Sequence, residues 1–306
     1  MAYLAHIGTT SEPPTFDATS HTVETEAGTL HYHDVDDRPH DVAAHDVAAH
    51  GRPPLLLLHG SGPGVSAWAN FGDNLAAFAP HFRVIALDFP GFGTSYSCAD
   101  NPLAVAPGAV TDRLDALGID RVSILGNSMG GNVAARVAAA HPERVDRLVT
   151  IGGLGVALFS PSPPEGVKLL VQFVEDPTRD RLIAWMGSMV FDPAILTDEF
   201  VEMRWRTANQ PGALDDVRRM FNPKVLAAMR RAPLGAPDQV ATLARVRAPT
   251  LVTWGRDDRV TPLDNVLIPL RVIRNCEVHV FPDCGHWAMI ERKAEFERVV
   301  LEFLLR

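Results

Sequence analysis

Residues 121–140 read RVSILGNSMGGNVAARVAAA, and this stretch decides the fold. Its first five residues are mainly apolar and β-branched, which predicts a short buried strand. Residues 132–140 are rich in alanine and contain neither Gly nor Pro, which predicts a helix. Between them a G-x-S-x-G motif is centred on Ser128, and a strand that turns at once into a helix needs the small Gly126 and Gly130 beside the turn. The pattern predicts an exposed nucleophilic serine at the end of the strand; a serine in an ordinary glycine-rich loop is the alternative.

A serine hydroxyl is nearly inert at neutral pH, so it needs a base, and the base needs an acid that fixes its tautomer. Residues 250–255 read as a second buried strand, and Asp257 and Asp258 follow it directly. Asp258 is favoured as the acid because Asp257, next to the glycine turn, is better placed as a structural cap. Two solvated loop aspartates are the alternative, but they would not explain the position after a strand.

The candidate base is His286. It lies in the loop PDCGHW at 282–287, after an alternating segment at 277–281 that predicts a strand and before a helix from about Glu291. The order of serine, aspartate and histidine along the chain is that of α/β-hydrolases and differs from the orders in chymotrypsin and subtilisin.

Backbone donors for a developing oxyanion are predicted from residues 55–64, LLLLHGSGPG, an apolar strand that opens into a glycine-rich loop. One donor is assigned to the backbone N–H of Ser61 and the other to that of Met129, which follows the nucleophile. A phosphate-binding loop is the rival interpretation. It fails because the sequence lacks G-x-x-x-x-G-K-[ST] and lacks G-x-G-x-x-G with a following ribose-binding acid.

The chain has 306 residues, of which 46% are hydrophobic, and can bury a large core as one domain with an insertion or as two domains. Strand and helix signals alternate along most of it, which indicates an α/β fold with a mostly parallel central sheet flanked by helices. A formal net charge of -9 without a Lys/Arg-rich run argues against a nucleic-acid surface.

No apolar run reaches the ~18 residues of a membrane helix, and the N-terminal residues lack the pattern of a signal peptide. We therefore expect a cytoplasmic location and no membrane partner. Cys98, Cys276 and Cys284 form no C-x-x-C pair, which predicts reduced thiols rather than a disulfide framework or a zinc site.

The predicted organisation is a core at 1–158, an inserted helical lid at 159–232 and a second core part at 233–306. Prolines at the start of the lid and Met- and Trp-rich helical patterns within it mark the insertion. A tandem DVAAH repeat lies in a loop near 36–51, which is expected to be flexible. Its five-residue histidine spacing fits neither one helix face nor one strand face, so a surface loop is favoured over metal binding.

Arg204 stands out within the predicted lid helix at 198–209. At 100° per residue it falls at the centre of the apolar arc, where an amphipathic helix would carry a hydrophobic residue. A snorkelling arginine or a structural ion pair is one interpretation. The other is a cation that points to the substrate and holds a carboxylate or enolate.

Together these residues resemble the meta-cleavage product hydrolases, a branch of the α/β-hydrolase superfamily that cleaves carbon–carbon bonds in ring-opened catechols. The resemblance extends over most of the chain. It rests on GNSMGG and on HGSGPG at 59–64, WAN at 68–70, PEGVK at 164–168, RW at 204–205, WGRDDR at 254–259 and CGHW at 284–287. Departures from the family pattern are the DVAAH repeat and Ser61, which is often glycine in relatives; only its backbone amide is needed.

The resemblance implies an α/β-hydrolase fold and a triad of Ser128, Asp258 and His286. The choice of Asp258 over Asp257 is thereby settled by resemblance. It places the substrate-binding residues at Gly60, Gly62, Asn70, Asn127, Met189, Arg204 and Trp287. Lid residues such as Trp185, Met189 and Phe191 would determine which C6 substituent is accepted.

The implied reaction is hydrolysis of the C5–C6 bond of a 2-hydroxy-6-oxohexa-2,4-dienoate, a small anionic substrate, to 2-hydroxypenta-2,4-dienoate and a carboxylic acid. No metal or organic cofactor is required, and relatives commonly form homo-oligomers.

A carboxylesterase or lactonase with the same triad is the main alternative, but a neutral ester would not need Arg204 and Asn127. A non-enzymatic receptor that retains the triad is the second alternative, and the intact oxyanion loop argues against it.

Overall fold

A computed structural model of the chain describes residues 13–35, 52–231 and 236–306. The predicted flexible loop at 36–51 lies entirely outside the described residues. The described strands are β1 Ser20–Thr25, β2 Gly28–Val35, β3 Pro54–Leu58, β4 Arg83–Leu87, β5 Val122–Asn127, β6 Val145–Ile151, β7 Thr250–Gly255 and β8 Cys276–Phe281.

Helices precede, connect and follow these strands. They are α1 Phe16–Thr19, α2 Ala67–Phe71, α3 Leu75–Phe78, α4 Pro102–Ala116, α5 Met129–Ala140, α6 Glu165–Glu175, α7 Arg179–Met189, α8 Asp198–Ala208, α9 Ala213–Met220, α10 Pro223–Arg231, α11 Pro237–Leu243, α12 Leu267–Val272, α13 Ala288–Glu291 and α14 Lys293–Leu304. Short 3₁₀ helices occupy Gly72–Asn74, Pro193–Ile195 and Leu263–Val266. No helix in the described parts of the chain is long and apolar enough to cross a membrane.

The eight described strands form one sheet in the order β1-β2-β4-β3-β5-β6-β7-β8. β1 and β2 pair antiparallel, as do β2 and β4, and every other neighbouring pair is parallel. The four leucines of β3 are fully buried because parallel strands with helices on both faces have no solvated side. The predicted α/β fold with a mostly parallel sheet is confirmed.

The turn between β5 and α5 has the predicted strand–turn–helix form. Ser128 adopts φ 52° and ψ -109°, which is strained backbone for a residue with a Cβ atom. Tight packing holds it there, because a Cβ on Gly126 would overlap the backbone of Gly130, and a Cβ on Gly130 would overlap the carbonyl oxygen of Leu58. The two glycines therefore let β5, α5 and β3 approach closely beneath the serine.

Helices α6 to α10 follow one another between β6 and β7, within the predicted lid, and are called the helical segment below. Asp264 anchors the start of this segment. Its carboxylate accepts hydrogen bonds from the backbone N–H groups of Leu158, Phe159 and Ser160 at 2.7 to 3.1 Å and from the Ser160 hydroxyl at 2.6 Å. Burial alone would raise the pKa of Asp264, but these donors outweigh it and lower that pKa to about 2. The division into core and lid stays a prediction.

Candidate active site

Asp258 and His286 meet at the carboxyl ends of β7 and β8. Asp258 Oδ2 lies 2.6 Å from His286 Nδ1, and both side chains are 1% exposed. The other oxygen, Oδ1, accepts the backbone N–H groups of Val260 and Thr261 at 2.7 and 2.8 Å. Because the turn after β7 holds one carboxylate oxygen, the other is fixed toward the imidazole.

This contact sets the tautomer of His286. The Asp258 carboxylate can only accept at Nδ1, so Nδ1 carries the proton and Nε2 keeps its lone pair. Nε2 is buried and has no hydrogen-bond partner among the described residues. Ser128 and His286 line one cavity, so Nε2 is the nitrogen available to take the serine proton.

Two residues that the sequence reasoning missed support this pair. Thr261 Oγ1 donates to Asp258 Oδ2 at 2.8 Å and lies 3.3 Å from His286 Nδ1. Glu291 accepts the backbone N–H of Gly285 at 2.7 Å and that of Phe191 at 2.6 Å, so it ties the histidine loop to the helical segment. Burial raises the pKa of Glu291 despite these donors. Neither residue belongs to a motif, and only their contacts identify them.

The predicted oxyanion loop is rigidly held. Gly60 N–H donates to Asn70 Oδ1 at 2.9 Å. His59 Nε2 accepts the N–H of Phe89 at 3.0 Å, so its Nδ1–H donates to the Gly60 carbonyl at 2.6 Å. Burial lowers the pKa of His59, which keeps its ring neutral.

The reaction cavity has a volume of about 290 Å³. Besides Ser128 and His286, it is lined by both residues of the predicted oxyanion hole, Ser61 and Met129. Met129 is the first residue of α5, where backbone N–H groups lack acceptors within the helix. Much of the remaining wall is apolar and comes from the helical segment: Val167, Leu170, Trp185, Met189, Met220, Phe221 and Met229.

Of the residues expected to select the C6 substituent, Trp185 and Met189 line this cavity. Phe191 is 47% exposed and does not line it. The chain leaves α7 at Met189, whose carbonyl accepts the N–H of His286, and turns outward. Gly62 packs directly against Trp185, since a Cβ there would lie 2.7 Å from the indole.

Arg204 is 1% exposed, so the snorkelling interpretation is wrong. Its Nη1 donates to the Gly64 carbonyl at 3.1 Å, and its guanidinium carbon lies 5.4 Å from the ring centres of Phe200 and Trp287. Nε is buried without an acceptor, and no described carboxylate pairs with this arginine. Burial lowers the pKa of Arg204 to about 10, which leaves it charged at neutral pH. A buried cation of this kind calls for an anion that the described residues do not supply.

The other polar substrate-binding candidates, Asn70, Asn127 and Trp287, do not line the reaction cavity. Asn70 Nδ2 donates to Asn127 Oδ1 at 3.4 Å, and Asn127 Nδ2 donates to the Ile151 carbonyl at 3.2 Å. The Trp287 ring packs edge-on at 6.3 Å against Trp185. The structure therefore brings Ser128, His286 and the oxyanion candidates Ser61 and Met129 into one cavity, with Asp258 bonded to His286 behind the wall. Arg204 contacts Trp287, and Trp287 in turn packs against the cavity residue Trp185.

The chemistry open to this arrangement is attack on a carbonyl carbon. A serine at a strained turn, an imidazole oriented by a carboxylate, and backbone donors at the N-terminus of a helix are the components of acyl transfer. The adjacent buried cation adds a place for an anionic group of the substrate.

Comparison with known proteins gives the family. A profile of the alpha/beta hydrolase family matches residues 55–299. A 2-hydroxy-6-oxononadienedioate/2-hydroxy-6-oxononatrienedioate hydrolase from Burkholderia vietnamiensis is 39% identical over 93% of this chain and 98% of its own length. A 2-hydroxy-6-oxo-6-phenylhexa-2,4-dienoate hydrolase from Burkholderia cepacia is 38% identical over 82% of this chain and 87% of its own length. The solved structure of a meta-cleavage product hydrolase from Pseudomonas fluorescens IP01 superposes with a TM-score of 0.75 at 29% identity, covering 90% of this chain and 94% of that one. The chain therefore belongs to the alpha/beta hydrolase family and, within it, to the meta-cleavage product hydrolases.

Proposed function

We propose that the enzyme hydrolyses the C5–C6 bond of a 2-hydroxy-6-oxohexa-2,4-dienoate, giving 2-hydroxypenta-2,4-dienoate and a carboxylic acid, as a step in the degradation of aromatic compounds. The observation that carries this proposal is Arg204, a buried cation beside a serine-hydrolase cavity with no carboxylate partner among the described residues. The relatives are named for the hydrolysis of 2-hydroxy-6-oxo-dienoates, whose C1 carboxylate would supply the missing anion.

Arg204 would bind the C1 carboxylate and the oxygen at C2, with Asn127 and Trp287 beside it. A guanidinium at this position favours loss of the C2 hydroxyl proton, which gives a dienolate. Protonation of that dienolate at C5 yields the keto form. The C5–C6 bond can then break, because its electron pair is delocalised back through the chain onto the oxygen at C2.

His286, held by Asp258, would take a proton from Ser128 or from water as the oxygen attacks C6. The backbone N–H groups of Ser61 and Met129 would stabilise the negative oxygen that develops there. If water attacks, cleavage of the C5–C6 bond releases C6 as a carboxylic acid carrying the hydroxyl of that water. If Ser128 attacks, cleavage leaves C6 as an ester on Ser128, which a water then hydrolyses to the same acid with His286 as the base, freeing the serine hydroxyl. The other fragment accepts a proton at its C2 oxygen and leaves as 2-hydroxypenta-2,4-dienoate.

Thr261 is proposed as a positioning residue. Thr261→Val is expected to lower kcat about tenfold, because Asp258 Oδ2 loses its second donor and the imidazole loses orientation. The measurement is kcat and its pH profile. The matched control is Thr253→Val in β7, the strand that precedes Thr261; its hydroxyl donates to the Thr150 carbonyl, and the change should affect stability alone. Equal kcat values for the two variants would show that Thr261 has no positioning role.

The function is tested by stopped-flow absorbance with dienoates that carry methyl, isopropyl or phenyl at C6, beside p-nitrophenyl acetate. We expect fast loss of the dienoate absorbance and stoichiometric formation of 2-hydroxypenta-2,4-dienoate, identified by mass spectrometry. Turnover of the ester alone would contradict the proposal and identify a carboxylesterase or lactonase.

A further inference from the structure

One polar side chain on the wall of the reaction cavity has no role in the reaction described above. Asn132 lies one helical turn after Ser128, and its backbone N–H donates to the Ser128 carbonyl at 3.1 Å. Its Oδ1 is buried and accepts no hydrogen bond from any described residue. A buried amide oxygen without a donor is destabilising, so an unfilled acceptor on a residue of the cavity wall points to a ligand.

The other polar groups of the cavity differ from Asn132 in this respect. Ser128 and His286 are the proposed reacting groups, and Thr261 is bonded to Asp258. Ser61 is assigned through its backbone N–H, and its hydroxyl is not among the buried side-chain atoms without a described partner. Helix formation does not explain Asn132, since asparagine is a poor helix former inside a helix otherwise rich in alanine.

The chemistry of the wall restricts what Asn132 can bind. The described residues that line the cavity include no lysine or arginine, so a second carboxylate on the substrate would be buried there without a counter-ion. A hydroxyl is neutral, and it can donate to the amide oxygen and accept from the amide nitrogen. It therefore satisfies the asparagine without introducing a buried charge.

The size and composition of the cavity restrict the rest of the group. A volume of about 290 Å³ lies just below the usual range of ligand pockets, ~300–1,000 Å³, which favours a single-ring substituent over a polycyclic one. Trp185, Phe221 and three methionines, Met189, Met220 and Met229, form much of the wall. Aromatic and thioether side chains pack well against a flat ring.

We propose that the natural C6 substituent is a single aryl ring that carries a hydroxyl, and that Asn132 is the specificity residue that binds this hydroxyl. The inference rests on the proposed function and specifies its substrate class. Asn132 would favour substrates that carry the hydroxyl, because an analogue without it leaves the buried amide of Asn132 unpaired.

The experiment compares kcat/KM for 6-phenyl and 6-(hydroxyphenyl) dienoates, with the hydroxyl in each ring position, and for a dienoate with a distal carboxylate. Wild type is expected to prefer one hydroxyphenyl isomer over 6-phenyl by about 10- to 100-fold. Asn132→Leu, which has a similar shape but no amide, is expected to lose that preference and to favour 6-phenyl.

The matched control is Gln239→Leu. Gln239 also has a buried amide oxygen without a described partner, but it lines a second, outer cavity that Asn132 borders. This control should retain the wild-type preference. Equal use of both aryl substrates by wild type, a preference that survives in Asn132→Leu, or a stronger preference for the distal carboxylate would each overturn the inference while dienoate hydrolysis stands. Absence of turnover with every dienoate would instead overturn the proposed function.

Discussion

Replacing Ser128 with alanine is expected to lower kcat/KM for a 2-hydroxy-6-oxo-dienoate by about 10³- to 10⁶-fold. The expectation rests on the strained turn, because φ 52° at a residue with a side chain is retained only where the surrounding packing enforces it. Alanine fits the same backbone, so the free energy of unfolding should change by less than about 0.5 kcal/mol. Stopped-flow turnover and thermal unfolding of the same preparation provide the two measurements.

The stringent form of this test is a double variant. If Ser128 and His286 act as one unit, removal of either side chain disables the other, so Ser128→Ala/His286→Ala should be no slower than the slower single variant. Losses that multiply in the double variant would mean that the two residues contribute independently, and the triad assignment would then be wrong.

Much of the fold was predictable because its signals are local. The apolar run at 55–58 and the glycines around Ser128 belong to segments whose structure is determined by their own composition, and the structure has β3 and the strand–turn–helix there. The position of Arg204 on an apolar helix face was also visible in the sequence. Its burial without a described carboxylate partner was not, because that depends on which side chains other segments bring to it.

Two of the residues that sequence reasoning missed, Asp264 and Glu291, act across long distances in the chain. Asp264 binds the backbone at 158–160, and Glu291 binds that of Phe191, contacts that follow from how the helical segment packs on the sheet. The exposure of Phe191 has the same origin, since proximity to Met189 in sequence does not set which way the chain turns after α7. No composition or spacing rule encodes these contacts.

The residue types serine, histidine and aspartate alone would not have identified the candidate nucleophile. Ser20 Oγ lies 2.8 Å from His31 Nε2, and His31 Nδ1 lies 2.8 Å from Asp88 Oδ2, which gives a second serine–histidine–aspartate chain. Ser20 begins β1 in extended backbone and has no strand–turn–helix around it. The local strand-to-helix context of Ser128, rather than the three residue types, was the informative part of the sequence.

Arg204→Met is expected to lower kcat/KM for dienoates by about 10²- to 10⁴-fold, because the substrate carboxylate would enter a buried site that has lost its charge partner. The same change should stabilise the free enzyme by about 1 kcal/mol or more, since it removes a buried cation that no described carboxylate compensates. Arg204→Lys should recover little activity, because an ammonium cannot form the bidentate pair of a guanidinium. Steady-state kinetics and chemical denaturation measure the two effects.

The control is Arg206→Met, two residues further along the same helix. Arg206 is 76% exposed and pairs with Glu202 at the surface, so its loss should alter neither activity nor stability appreciably. A drop in activity with a gain in stability, seen only at Arg204, would mean that the cation is retained for the substrate at the expense of the fold. If Arg204→Met lost stability, or slowed p-nitrophenyl acetate as much as the dienoate, Arg204 would be a structural residue and the case for an anionic substrate would fail.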